Sequence, residues 1–467
     1  CIEARRDEIM HAHQQVSKIL ALGYLSYFQW QQLKQLLLPL KTWLITIAEL
    51  SYIPAALQQP IARLYFWLQS ELSDLDKYNA SVVTLQLSQH KQLFDTLESH
   101  PLTEKQRQAC IVTDNANLVL AGAGCGKTSV MLGRCAYLLA SKQAHAEDIL
   151  LLAFAKDAAQ EMRGRLADKL PDASIKVHTF HALGLDIIRQ VEGKAANITK
   201  LATSDTAKTR FFKTQLLQRL EDDEYQQLFS YFCYAYLTWL NANFIELNDT
   251  KQQAEIDKIL AGKGQFKVIQ SHLIELVMLY KHHQQMVKHD KQLTQTLLAL
   301  GSEHLAVITM DVIAPLLSDY LSYLEINGEI DFDDMISKAE GYVKTGQYHS
   351  PWRHILVDEF QDISQSRANL VKLLQQQQDD CKLFCVGDDW QAIYQFAGSD
   401  IDVTTQFQGY FGRAQQLPLD TSFRFHDQIS AVATRFVMQN PAQITKNLTT
   451  FKQEKKPGVS IGYYLDA

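Results

Sequence analysis

Four short runs of the chain are too continuously apolar for an amphipathic helix: NLVLAG from Asn117, ILLLAF from Ile149, HILVDEF from His354 and KLFCVGDD from Lys382. Three of them break into glycine or acid, and ILLLAF runs on into Ala155 and Lys156. The stretches after the glycine loop and after Phe154 carry helical spacing instead, and KVHTFHALGLDIIRQ from Lys176 holds a second short strand ending in Thr179, Phe180 and His181. Strand followed by helix, several times over, predicts an α/β fold with a parallel sheet buried on both faces.

The rest of the chain reads as helix. From Ile2 to about Ser99 apolar residues recur at helical intervals (Ile19, Leu22, Tyr24, Phe28, Leu33, Leu36, Leu37), with breaks at Pro39 and Pro54, which predicts a helical hairpin or small bundle. Such a stripe is ordinarily core packing and assigns no function. A boundary falls at His100 and Pro101, after which Thr103 is placed to cap the helix of LTEKQRQAC. Residues 192–325 turn wholly helical and read as an inserted subdomain, and GEIDFDDMI (Gly328 to Ile336) reads as the return to the sheet-bearing fold. The histidines of KHHQQMVKHDK (His282, His283, His289) read as a solvated helix face.

Composition narrows the class without naming a function. The chain has 467 residues, enough for about three domains, and is 46% hydrophobic and 21% charged, in the range of soluble globular proteins. Its net charge of −7 excludes bulk attraction to a polyanion, so any nucleic-acid site must be a local groove. Seven scattered cysteines without metal spacing suit reduced thiols in a cytosol, and a cytoplasmic location is expected. The most apolar stretch, Leu36 to Leu57, is interrupted by Pro39, Lys41, Glu49 and Pro54, so no membrane span is expected. The chain opens on Cys1 rather than methionine and reads as a fragment.

Chemistry enters with AGAGCGKTS. A strand that turns sharply through Gly122, Ala123, Gly124, Cys125 and Gly126 into a helix leaves backbone N–H groups aimed at an anion. Lys127 is then placed to reach the β- and γ-phosphates of a nucleotide, and the Thr128 hydroxyl to ligate Mg²⁺. Short glycine-rich patterns recur by chance, and a purely structural turn has the same spelling. Asp358 and Glu359, two acids ending an apolar strand, fit a nucleotide enzyme as metal holder and general base. Gln391 can sense a γ-phosphate, while Tyr394 and Phe396 offer faces for base stacking or simply core. His178 and His181 lack further spaced ligands for a metal.

Taken in order, LTEKQRQAC, AGAGCGKTS, LLLAFAKDAAQEM, HTFHALG, DFDDMI, ILVDEFQDIS, VGDDWQAIYQFAG and TSFRF resemble the motifs of superfamily 1 DNA helicases of the UvrD/Rep type. Trp390 in VGDDWQAIY and the SPWRHILVDEFQDIS segment point to the helicase IV branch. The resemblance implies a P-loop, RecA-like parallel sheet with a helical insertion and a helical N-terminal region. It divides the chain into a helical region (1–98), a first RecA-like domain in two parts (99–191 and 326–414), the insertion (192–325) and the start of a second RecA-like domain (415–467). It also implies ATP and Mg²⁺ as cofactors, and 3'-to-5' movement on single-stranded and partially duplex DNA.

By the same resemblance, Gln106 reads adenine, and Gly122 to Ser129 cradle the phosphates with Lys127 and Thr128. Phe423 stacks on the base of ATP. Gln391 and Arg424 touch the γ-phosphate, and Phe154, His181, Tyr394 and Phe396 line the DNA track. The family's late motifs, an arginine finger among them, do not occur before Ala467, so poor hydrolysis by this stretch alone is expected. Two other readings share the motifs: the motor of a helicase-nuclease, and an ATPase that remodels RNA polymerase, for which the helical N-terminal region would contact protein partners.

Overall fold

A computed structural model of the chain describes residues 2–48, 53–240, 242–286, 303–393, 399–440 and 443–454. They form two compact units, Cys1–Ala182 with His349–Ala467, and Leu183–Tyr348.

The first unit is built on a six-stranded sheet. Its strands are β1 (Ala116–Ala121), β2 (Ile149–Ala153), β3 (Lys176–Thr179), β4 (His354–Val357), β5 (Lys382–Gly387) and β6 (Ala414–Leu419). Their spatial order is β3-β2-β4-β5-β1-β6, and every pairing is parallel. The apolar runs read as strands are β1, β2, β4 and β5, each buried at every position as the central strands of a covered parallel sheet must be. The edge strands β3 and β6 mix buried and exposed positions and give a weaker sequence signal. Residues 415–419, expected to open a second domain, are hydrogen bonded beside β1 in this same sheet.

Because chain order and spatial order differ, β1 lies between β5 and β6, strands that come far later in the chain. In open parallel sheets the crevice at the carboxyl ends of strands, where the winding reverses, is the place for ligands. A second, two-stranded sheet pairs β7 (Thr421–His426) with β8 (Thr449–Lys452).

The N-terminal region forms helices Arg6–Leu20, Tyr27–Leu37, Lys41–Ala48, Ala55–Gln69 and Leu72–Gln89 around Ile9, Val16, Leu33, Leu44, Leu64 and Trp67. It is a bundle rather than a hairpin. Its Ser26 caps the second of these helices, and that end docks at the beginnings of β1 and β5. Tyr27 and Phe28 N–H donate to Asp114 Oδ1 (2.9 Å) and Asn115 Oδ1 (3.0 Å), and Lys382 Nζ donates to Ser26 Oγ (2.9 Å). The bundle therefore packs at the end of these strands opposite the glycine loop.

The second unit is helical, with Phe212, Phe229, Phe232, Val277, Val312, Leu316 and Tyr320 in its core. The segment read as a return to the sheet forms helix Phe332–Lys344 within this unit. Asp331 caps that helix and, with Asp334 (2.8 Å), binds the buried ammonium of Lys281. His282 is not solvated as expected, since its Nδ1 lies 3.3 Å from Asp333 Oδ1. The side chain of His283, and His289, lie outside the described residues.

No helix among the described residues is long and apolar enough to cross a membrane.

Candidate nucleotide site

The glycine loop joins β1 to helix Lys127–Ala140. Gly124 (φ 76°) and Gly126 (φ 79°) take left-handed backbone conformations, and Gly126 caps the helix. A side chain at Gly124 would be strained twice over, because its Cβ would also stand 2.4 Å from Arg424 Cβ. Cys125 points inward at 1% exposure, and burial pushes its thiol up to about 11, as suits a small side chain that fills space.

Gln106 braces this loop from below. Thr103 caps the helix as expected, and Gln106 completes a capping box with it, its Oε1 accepting from the Thr103 N–H (2.8 Å). Its Nε2 donates to Cys125 O (3.0 Å). The amide read as an adenine sensor thus holds the phosphate loop to the start of its own helix in this structure.

Glu359 and Lys127 meet directly: Lys127 Nζ is 2.5 Å from Glu359 Oε2. The acid arrives there through an unusual backbone, with φ 47° and ψ 48° at Glu359. A non-glycine residue in that region costs about 1–3 kcal/mol, and such conformations concentrate at functional positions. Asp358, one residue before, is buried and accepts from the Glu359 N–H (2.9 Å).

Gln361, which the motif reading passed over, is buried between two strand ends. Its Nε2 donates to Glu359 Oε2 (2.8 Å) and its Oε1 accepts from the Asp388 N–H (2.8 Å), tying the end of β4 to that of β5. Its signal lay inside ILVDEFQDIS itself, where a buried polar residue next to two acids needs a partner.

Burial and the neighbouring Glu359 push Asp358 up to about 6, and the same two causes push Asp362 up to about 6. Asp362 Oδ1 is buried without a hydrogen-bond partner. Buried carboxylates in excess of their donors are a donor set suited to a hard divalent cation. Thr128 and Asp358 are the residues that would hold a Mg²⁺ arriving with a nucleotide, and the ion would neutralise phosphate charge there. Among the described residues no group of three or more His, Cys, Asp or Glu side chains is placed to hold a metal ion.

These raised carboxyls carry a sign. An acid whose folded value exceeds its unfolded one destabilises the fold once ionised. The penalty is absent below about pH 4, builds as pH rises and is complete above about pH 6. Millimolar Mg²⁺ should therefore raise the melting temperature above about pH 6 and leave it unchanged below about pH 4. An equal Mg²⁺ effect at both ends of that range would contradict this reading of the two acids.

β7 lies on the loop. Ser422 Oγ donates to Ala123 O (2.7 Å) and the Phe423 N–H donates to Gly124 O (3.0 Å), so Phe423 and Arg424 stand beside the phosphate cradle. Arg424 is exposed, and the Phe423 ring leans on Phe451 at 5.5 Å between centroids. The amide of Gln391 donates to Asp388 Oδ2 (2.5 Å) at the end of β5.

The structure thus gathers Gln106, Lys127, Glu359, Asp358, Gln391, Phe423 and Arg424 at the carboxyl ends of β1, β4 and β5. Phe154 is placed at the end of β2, where the Arg367 guanidinium lies 5.0 Å from its ring centre and 5.8 Å from that of Phe180. His181 is half-buried in the helix after β3. Tyr394 and Phe396 lie outside the described residues.

The model of the UvrD/REP helicase N-terminal domain matches residues 102–412, more than half of the chain and all of the sheet but its last strand. The chain belongs to the UvrD/REP helicase family.

Within the family it is 33% identical to DNA helicase IV of Escherichia coli (strain K12) over 401 residues, 85% of this chain and 55% of that protein. It is 27% identical to the ATP-dependent DNA helicase PcrA of Bacillus subtilis (strain 168), over 78% of this chain and 42% of that protein. Identity to the ATP-dependent DNA helicase Rep of Buchnera aphidicola is also 27%, over 74% and 46%. The chain spans about half the length of the curated relatives it matches.

Proposed function

We propose that the protein is an ATP-dependent DNA helicase that couples ATP hydrolysis to 3'-to-5' movement on single-stranded DNA. The observation that carries the reading is the contact of Lys127 with Glu359 beside a left-handed glycine cradle. A cation and a base converge where the γ-phosphate of a loop-bound nucleotide would lie. The relatives' printed names, DNA helicase IV, PcrA and Rep, support DNA as the track.

In this reading the backbone N–H groups of residues 122–126 hold the phosphates, and Lys127 leaves Glu359 for the γ-phosphate when nucleotide enters. Glu359, freed of that ion pair, takes the proton of the attacking water. Gln391 and Arg424 contact the same phosphate, so its loss is felt by both the β5 turn and β7. The six-stranded sheet, β6 included, is assigned to the first RecA-like domain and the helical unit Leu183–Tyr348 to the insertion, and β7 begins the passage to the second RecA-like domain. Phe154, His181, Tyr394 and Phe396 are assigned to the DNA face, and the cytoplasm is the expected compartment.

The test is strand displacement from partial duplexes bearing a 3' or a 5' single-stranded tail. ATP-dependent release from the 3'-tailed duplex is expected. Release only from the 5'-tailed duplex would contradict the direction, and ATP hydrolysis with no release from either would contradict helicase action.

A further inference from the structure

The turn after β5 holds two adjacent carboxylates that are almost wholly out of water, Asp388 at 1% and Asp389 at 0% exposure. Buried like charges on neighbouring residues do not persist without a cation. Lys446 provides it: its Nζ lies 2.5 Å from Asp388 Oδ1 and 2.6 Å from Asp389 Oδ1, and 5.2 Å from the centre of the Trp390 ring. The backbone two residues earlier fastens the same turn. Ile444 N–H donates to Asp389 Oδ2 (2.7 Å), and Ile444 O accepts from Trp390 Nε1 (2.9 Å).

Asp388 is also the group that holds Gln391, through Oδ2, while its backbone N–H is held by Gln361. One carboxylate therefore receives Lys446 on one oxygen and Gln391 on the other. The segment carrying Lys446 reaches the phosphate loop as well, since a Cβ on Gly122 would stand 2.7 Å from Leu448 Cδ2.

We propose that Lys446 is a positioning residue for ATP hydrolysis: it fixes Asp388, and through Asp388 sets where the Gln391 amide stands relative to the γ-phosphate. This rests on the assignment of the site to ATP hydrolysis made above. Lys446 touches no reacting atom in this scheme. Its removal leaves the buried Asp388 carboxylate without its cation, free to turn toward solvent, and Gln391 loses its anchor. The same contacts join the β5 turn to the chain running into β8, so movement of that segment would be felt by Gln391.

The test is a double-mutant cycle on ATP turnover with Lys446→Met and Gln391→Ala. Lys446→Met is expected to lower kcat about tenfold or more while the KM for ATP moves less than about threefold, because the phosphate loop that binds ground-state nucleotide is intact. Lys446→Arg should recover most of that loss. In the Gln391→Ala background, Lys446→Met should cost little more, since the group it positions is gone.

A purely structural lysine predicts otherwise. It would lower the active fraction by the same factor in both backgrounds, and multiplying losses would overturn the proposal while leaving the ATPase reading standing. If Lys446→Met does not fold, Lys446→Gln serves in the same cycle with the same two outcomes. Absence of ATP turnover in the unaltered protein would instead contradict the functional reading, and this proposal with it.

Discussion

Glu359→Gln lowers ATP turnover by about 10²- to 10⁴-fold, the usual worth of a positioned general base, and leaves nucleotide binding near its original strength. The substitution keeps the shape of the side chain and can still accept from Gln361 and Lys127, so the loop geometry survives. What it removes is the acceptor for the proton of water. Single-turnover hydrolysis and equilibrium binding of a fluorescent ATP analogue, measured side by side, separate the two effects. Turnover within a few-fold of the unaltered protein would take the base role away from Glu359.

Lys127→Ala should produce the complementary pattern, with weak nucleotide binding as well as a loss in turnover of about 10²-fold or more. Lys127 is only slightly exposed and stands among Glu359, Asp358 and Asp362; its charge holds the two aspartates lower than they would otherwise be. Without it three carboxylates face the incoming phosphates with no ammonium between them. Nucleotide repulsion and fold destabilisation above about pH 6 both follow. The two substitutions are thus distinguished by binding: spared in one, lost in the other. Equal binding by Lys127→Ala would contradict the placement of the γ-phosphate between Lys127 and Glu359.

How much of this was legible in the sequence depends on how local its cause was. β1, β2, β4 and β5 were readable because a strand buried on both faces must be apolar at nearly every position. β6, AQQLPL, showed only a short strand-like run at its LPL end, since an edge strand has one face open and tolerates glutamines. Its pairing to β1 depends on a crossover that no local pattern shows. The Thr103 cap was visible from its place just behind Pro101, whereas the Gln106 contacts with Thr103 and Cys125 required the fold to bring them together.

Among the site residues, Lys127, Asp358 and Glu359 were found because each ends or begins an element at a fixed offset from a recognisable run. Lys446 carries no such signal. It lies in an irregular stretch, and only the burial of Asp388 and Asp389 shows why a lysine stands there. Asp362 belongs to a recognised motif, but its raised acidity comes from burial and from Glu359, neither of which a string of letters displays.

The central claim is that this nucleotide site drives a motor whose track is DNA. The steady-state rate of ATP hydrolysis, measured with and without saturating single-stranded DNA, tests it most directly. A severalfold rise on adding single-stranded DNA, abolished by Glu359→Gln, is the predicted result. Hydrolysis that is indifferent to single-stranded DNA would contradict it.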